Sequence, residues 1–285
     1  MAKSSSHRSP ASAEEMPSLR TFHHLHRWFF PAKSIVPSSP SSSSLQLRRR
    51  SPPPLALSAA SSPSSSGTKM PLISTVEHVV LFKVRDSTDP SKIDAMMANL
   101  RALISLDVVS HLTAGPILRC RSAAAEAAGF SHLLHSRYRS EVDLASYASH
   151  PAHQAVVQEN VLPICDDVMA VDWIADLDAP VVPPPGSVVR LTLAKPREGT
   201  AAEEIVRAID GVRVSVPANV QLSIGKNFSA RAKGYEVGFI SVFPGLDELD
   251  AVEGNDLEEQ KVKLRPLVES VIVVDFEVAS PSSSL

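Results

Sequence analysis

The stretch LASYASHPAHQAV, residues 144–156, places Tyr147, His150 and His153 within one short span. An imidazole titrates near neutrality, so a deprotonated histidine can take an acidic proton from a carbon between two carbonyls and return it to an alkoxide. A nearby phenol can hydrogen-bond the carbonyl oxygen on which negative charge develops. One acid–base group and one donor are sufficient for an aldol-type ring closure, without metal or nucleotide. Tyr147 and His150 are three residues apart and can share a helical face, whereas Pro151 resets the helix and turns His153 elsewhere. The same residues also fit structural work: a histidine beside a proline can cap a helix, and a buried tyrosine hydroxyl can satisfy a carbonyl.

Other histidines invite a metal reading. His78, His111, His132 and His135 fall on expected strands and could join His150 and His153 around zinc. His132 and His135 are three apart on one strand and must point to opposite faces, so they cannot both ligate from it. Cys120 and Cys165 follow no metal or redox spacing and are expected as reduced thiols.

The elements that would position these groups begin at Thr75. TVEHVVLFKV is a β-branched run in which His78, Val80 and Phe82 share one face. TDPSKIDAMMANLRALISL reads as a helix, with Asp89 as N-cap, Pro90 at the first position and a stripe of Ile93, Met96, Met97, Leu100, Leu103 and Ile104. VVSHLTAGPILRC and GFSHLLHSRYR are expected as two strands joined by a small-residue loop. A helix over Glu141–Ser149, its restart at Pro151 and the strand VMAVDWIAD complete a β-α-β-β-α-β order, the split ferredoxin-like unit.

Residues 187–278 repeat the pattern: VVRLTLAK aligns with HVVLFKVR, KGYEVGFISVF with AGFSHLLHSRY, and VVDFEV with AVDWIA. In that alignment His78, His132, Tyr147, His150 and His153 correspond to Val188, Val237, Val252, Asn255 and Glu258, so the second half lacks the candidate chemistry. The expected fold class is α+β, with tandem ferredoxin-like repeats pairing into a dimeric α/β-barrel. The expected divisions are a Ser/Pro/Arg-rich leader (1–69), a first domain (74–177), a Pro-rich linker (178–186), a degenerate second domain (187–278) and a tail (279–285). The sheets could pair within the chain as a pseudo-dimer or between chains as a homodimer; intrachain pairing is slightly favoured.

Of 28 basic and 31 acidic residues, 9 basic and two acidic ones lie in residues 1–69, leaving the body net acidic by about 10. Such a body repels phosphate backbones, which argues against nucleic acid as a partner. No apolar run of about 18 residues is present to span a membrane. The basic, acid-poor leader has the composition of a transit peptide, a disordered tail being the alternative, and Met70 offers an internal start.

The motifs EHVVLFK, GFSHLLHSRY, LASYASHPAHQAV and VDW together resemble the stress-responsive dimeric α/β-barrel domain family, which includes plant heat-stable proteins and the polyketide cyclase that makes olivetolic acid. The resemblance is strong over the first half and weak over the second. It implies that Tyr147 and His153 would serve a small hydrophobic or polyketide-like ligand in a pocket lined by His78, His132 and His150. A pocket tyrosine of the cyclase falls at Met97. No organic cofactor is implied; magnesium on the main-chain carbonyls of Arg101, Ile104 and Asp107 is. The two-domain layout and the terminal Ser283, Ser284 and Leu285 resemble a plant peroxisomal branch, the last three residues being a variant of the Ser-Lys-Leu signal that an import receptor reads. Peroxisome is therefore the expected address, with the chloroplast as the alternative that the leader suggests. The expected function is a protective or small-ligand-binding stress-response module; the alternative is a cofactor-free cyclase using His153 as acid–base and Tyr147 as donor.

Overall fold

A computed structural model describes residues 72–177, 182–211, 217, 219–252 and 262–278. The leader, Asn255, Glu258 and the terminal Ser283–Leu285 lie outside the described residues.

The first half runs β1 (Ile73–Val84), α1 (Pro90–Ala102), β2 (His111–Pro116), β3 (Arg119–Cys120), α2 (Ala123–Ala128), β4 (His132–Tyr138), α3 (Glu141–Ser149), α4 (Pro151–Val156) and β5 (Cys165–Leu177). The second runs β6 (Val188–Pro196), α5 (Ala202–Asp210), β7 (Gln221–Lys226), β8 (Val237–Phe243), α6 (Leu246–Ala251) and β9 (Val268–Glu277). The strands form antiparallel sheets ordered β2-β4-β1-β5 and β3-β9-β6-β8-β7. Helix α1 starts as its sequence demands: the Asp89 carboxylate accepts the Ser91 N–H at 2.8 Å, and Pro90 occupies the position that needs no donor.

Strand alternation divides the cores. Val76, Val80 and Phe82 of β1 face Met96, Leu100, Leu144 and Val161 on the helix side. Val79 and Leu81 face the other way and meet Val189, Leu191, Val274 and Phe276 of the second sheet. The two open sheet faces thus close on each other within one chain.

The segment between β2 and β4 differs from the sequence expectation in two ways. VVSHLTAGPILRC is not one strand, because the chain leaves its own sheet after Pro116 and β3 pairs with β9 of the other half. The expected small-residue loop is helix α2: Ser122 Oγ accepts the Ala125 N–H at 3.2 Å, and Gly129 ends the helix in the left-handed region at φ 68°. An alanine-rich run between a serine and a glycine is a helix signal that the small size of its residues masks.

The crossing is reciprocal. Leu118 N–H donates to the Asp275 carbonyl at 2.8 Å, and Phe228 N–H donates to the Asp172 carbonyl at 2.8 Å. Each half therefore sends an arm from the end of its second long strand onto the last strand of the other half. Register also corrects the alignment of the halves: His78 lies opposite Ser136 and Asp172, as Arg190 lies opposite Ser241 and Asp275. The counterpart of His78 is Arg190, two residues beyond Val188, because similarity in apolar runs leaves a slip of two undetected.

Trp173, fully buried between the sheets, donates from Nε1 to Ser223 Oγ at 3.1 Å and lies on the bare backbone of Gly225 and Gly238. A Cβ at Gly238 would come within 2.4 Å of the indole. Gly238→Ala is expected to lower stability by about 1–3 kcal/mol, the usual cost of overpacking, read as a lower urea midpoint, with a smaller loss when combined with Trp173→Leu.

Candidate functional site

The helix side of the first sheet carries the polar groups. His78 on β1 and Asp172 on β5 are register partners, and Nδ1–H of His78 donates to Asp172 Oδ1 at 2.5 Å. The carboxylate is an acceptor, so Nδ1 holds the proton of this bond. Burial would raise the Asp172 carboxyl, but His78 and then Arg231 hold it below its ordinary value.

Tyr147 and His153 reach the same place by way of a helix break. His150, as the residue before a proline, is extended (φ −66°, ψ 133°), which ends α3 and starts α4. Its Nδ1 accepts the Ala152 N–H at 3.2 Å. The turn brings the His153 ring to 4.5 Å from that of Tyr147, and Nδ1–H of His153 donates to the Ala148 carbonyl at 3.1 Å. Burial raises the Tyr147 phenol, which therefore stays neutral, and lowers His153 to about 4. Tyr138, whose hydroxyl bonds Ser136 Oγ at 3.0 Å, stands behind Tyr147 with ring centres 5.2 Å apart.

His78, Tyr147 and His153 line one cavity, floored by Val80, Phe82 and Leu134 and bordered by Arg231 of the second half. A water centre can move through only about 20 Å³ of it, enough for about one water molecule. Three of the five histidine and tyrosine candidates are thus together. His132 is not among the lining residues; it is half-buried and hydrogen-bonds Ser131 Oγ at 2.9 Å. His150 is an exposed helix cap, because the break that delivers His153 turns His150 outward. Tyr147 and His150 accordingly do not share a working face.

Asp172 and Arg231 were not among the sequence candidates. The VDW motif holds a charged residue inside an apolar strand, which was the available signal for Asp172. Nothing near Arg231 in sequence points to the first-half site.

A second polar group lies between the sheets. Glu77 accepts from His135 Nε2 at 2.6 Å and from Arg137 Nε at 3.0 Å, and Arg137 reaches Gln221 of the second sheet at 3.0 Å. Burial would raise Glu77, but Arg137 and His135 draw it down to about 2; burial lowers His111 to about 2. His135 faces this interior and His132 the helices, as their spacing requires. Among the described residues, no three or more His, Cys, Asp or Glu side chains form a metal-binding group. At the helix end considered for magnesium, the Arg101 carbonyl accepts the Leu103 N–H, Arg101 Nε donates to the Ala114 carbonyl at 2.7 Å, and the Ile104 side chain is exposed.

Two ferredoxin-like units joined through their open sheet faces, one with a polar pocket beneath its helices, define a tandem α/β-barrel protein. The chain belongs to the stress-responsive A/B barrel domain family, whose model matches residues 76–175 and 188–278. It is 48% identical over 228 residues to a stress-response A/B barrel domain-containing protein of Arabidopsis thaliana, covering 78% of this chain and 85% of that protein. A second Arabidopsis thaliana protein of the same description, DABB1, is 42% identical over 215 residues, covering 74% of this chain and 99% of that one. An anthrone oxidase-like protein of known structure shares the fold at TM-score 0.51 and 12% identity, over 74% of this chain and 95% of that one.

A pH dependence follows from His153. Unfolded, it binds a proton near its ordinary value of about 6.5; folded, it does so only near 4. The stability tied to its neutral form is present above the unfolded value and is lost as pH falls from about 6.5 to about 4. Urea midpoints measured across that window are expected to fall, and less steeply in His153→Phe.

Proposed function

We propose that the protein is a stress-response module whose first-half cavity binds a small polar ligand, with no covalent chemistry required. The carrying observation is the enclosed contact of Tyr147 with a neutral His153 whose Nδ1 is fixed on Ala148. That arrangement offers a phenol donor and an imidazole acceptor at fixed positions, which suits recognition of a carbonyl or hydroxyl. Two features favour binding over polyketide cyclisation. The free space is far below the roughly 300–1,000 Å³ of pockets for drug-sized ligands. A histidine near 4 is a weak base at neutral pH, where general-base catalysis works best with a matched pKa.

The second reading, a cofactor-free cyclase with His153 as acid–base and Tyr147 as donor, is favoured by the contact between those two rings. Magnesium at Arg101, Ile104 and Asp107 is needed by neither reading. Acetamide, which offers one carbonyl and one amide, separates the two readings by heat denaturation of the full chain. Binding predicts a saturable rise in melting temperature that Tyr147→Phe and His153→Ala each reduce at least severalfold. Ring-closed product from a poly-β-keto thioester, lost in the same variants, would favour the cyclase.

We also propose a peroxisomal address, supported by the terminal Ser283, Ser284 and Leu285. With the C-terminus left free, the protein is expected in peroxisomes. Removal of Leu285 should release it, whereas plastid accumulation independent of Leu285 would assign the address to the leader.

A further inference from the structure

The two arms deliver equivalent arginines to equivalent aspartates, with different results. Arg121 follows Leu118 by three residues and Arg231 follows Phe228 by three, each pair docked on the last strand of the opposite half. In the second half, Arg121 Nε bonds Asp275 Oδ2 at 2.9 Å, and Arg190 Nε bonds Asp275 Oδ1 at 2.7 Å. Two guanidiniums close over one fully buried carboxylate.

In the first half, His78 stands where Arg190 would be and holds Asp172 at 2.5 Å, while Arg231 forms a longer ion pair with the same carboxylate at 3.9 Å. Its side chain is about a quarter exposed and borders the cavity that holds Tyr147 and His153. The second half, which carries Val237 and Val252 at the positions of His132 and Tyr147, therefore supplies a cation to the first-half pocket.

We infer that Arg231 selects the charge of the ligand, and that the first-half pocket takes a small carboxylate in preference to its neutral isostere. This rests on the cavity being a ligand pocket. A guanidinium presents paired donors that match a carboxylate, and such charge-assisted bonds exceed neutral ones. The closed space takes about one water molecule, so a ligand of a few heavy atoms has to reach into it from the side where Arg231 is about a quarter exposed.

Acetate and acetamide have the same shape and differ in charge. The imidazole signals of His153 in the full-chain protein at neutral pH are followed by NMR during titration with each. Acetate is expected to shift them saturably, with at least about tenfold tighter binding than acetamide. Arg231→Gln should abolish that preference by weakening acetate, Arg231→Lys should keep part of it, and Arg121→Gln should leave it intact. If Arg231→Gln fails to fold, the Arg231→Lys titration and the wild-type preference still decide.

Equal binding of the two probes by the wild type would overturn the role of Arg231 and leave the pocket standing, as would an unchanged acetate preference in Arg231→Gln. If neither probe shifts His153, the ligand pocket falls and the inference with it.

Discussion

A four-stranded sheet with helices on one side has a second face that water cannot be allowed to keep. Val79, Leu81, Met169 and Val171 on one sheet and Val189, Leu191, Val274 and Phe276 on the other satisfy that requirement jointly. Neither half is complete alone, because each also needs the other's arm along its last strand. Burial drives the closure, while the arms and the seating of Trp173 on Gly225 and Gly238 give it a single register.

The same closure places two carboxylates, Asp172 and Asp275, where each must find a cationic or donating partner. One substitution in the pattern, His78 against Arg190, separates the fates of the two halves. Arginine joins its aspartate and the incoming Arg121 in an ion-pair cluster. Histidine satisfies the aspartate with one nitrogen and leaves room beside Tyr147 and His153, so one half keeps a pocket. The degenerate half thus acts as the wall of the barrel and also as the source of a residue at the pocket edge.

The cluster of Glu77, His135 and Arg137 is a different use of polarity. It lies in the inter-sheet interior and joins the halves through Gln221. Buried ion pairs of this type contribute little net stability when intact and cost much when one partner is removed. Their tight hydrogen bonds suit fixing how the sheets meet.

Much of the architecture was legible in the chain itself. The β-branched runs, the Asp89–Pro90 helix start and the Pro151 restart are local signals, set by backbone sterics within a few residues. The repeat of the pattern was legible because both halves bury the same faces, and the motifs around Tyr147 and His153 marked the family. Tertiary structure alone decided which histidines meet. His132 and His150 have the same chemistry as His78 and His153, but pleat and helix break direct them elsewhere. It also revealed Arg190 as the counterpart of His78 and brought Arg231 to a site whose other residues lie more than fifty positions away. Spacing records what a residue can do with its neighbours in the chain, and only the closure of two sheets on each other determines which distant charges must share one buried space.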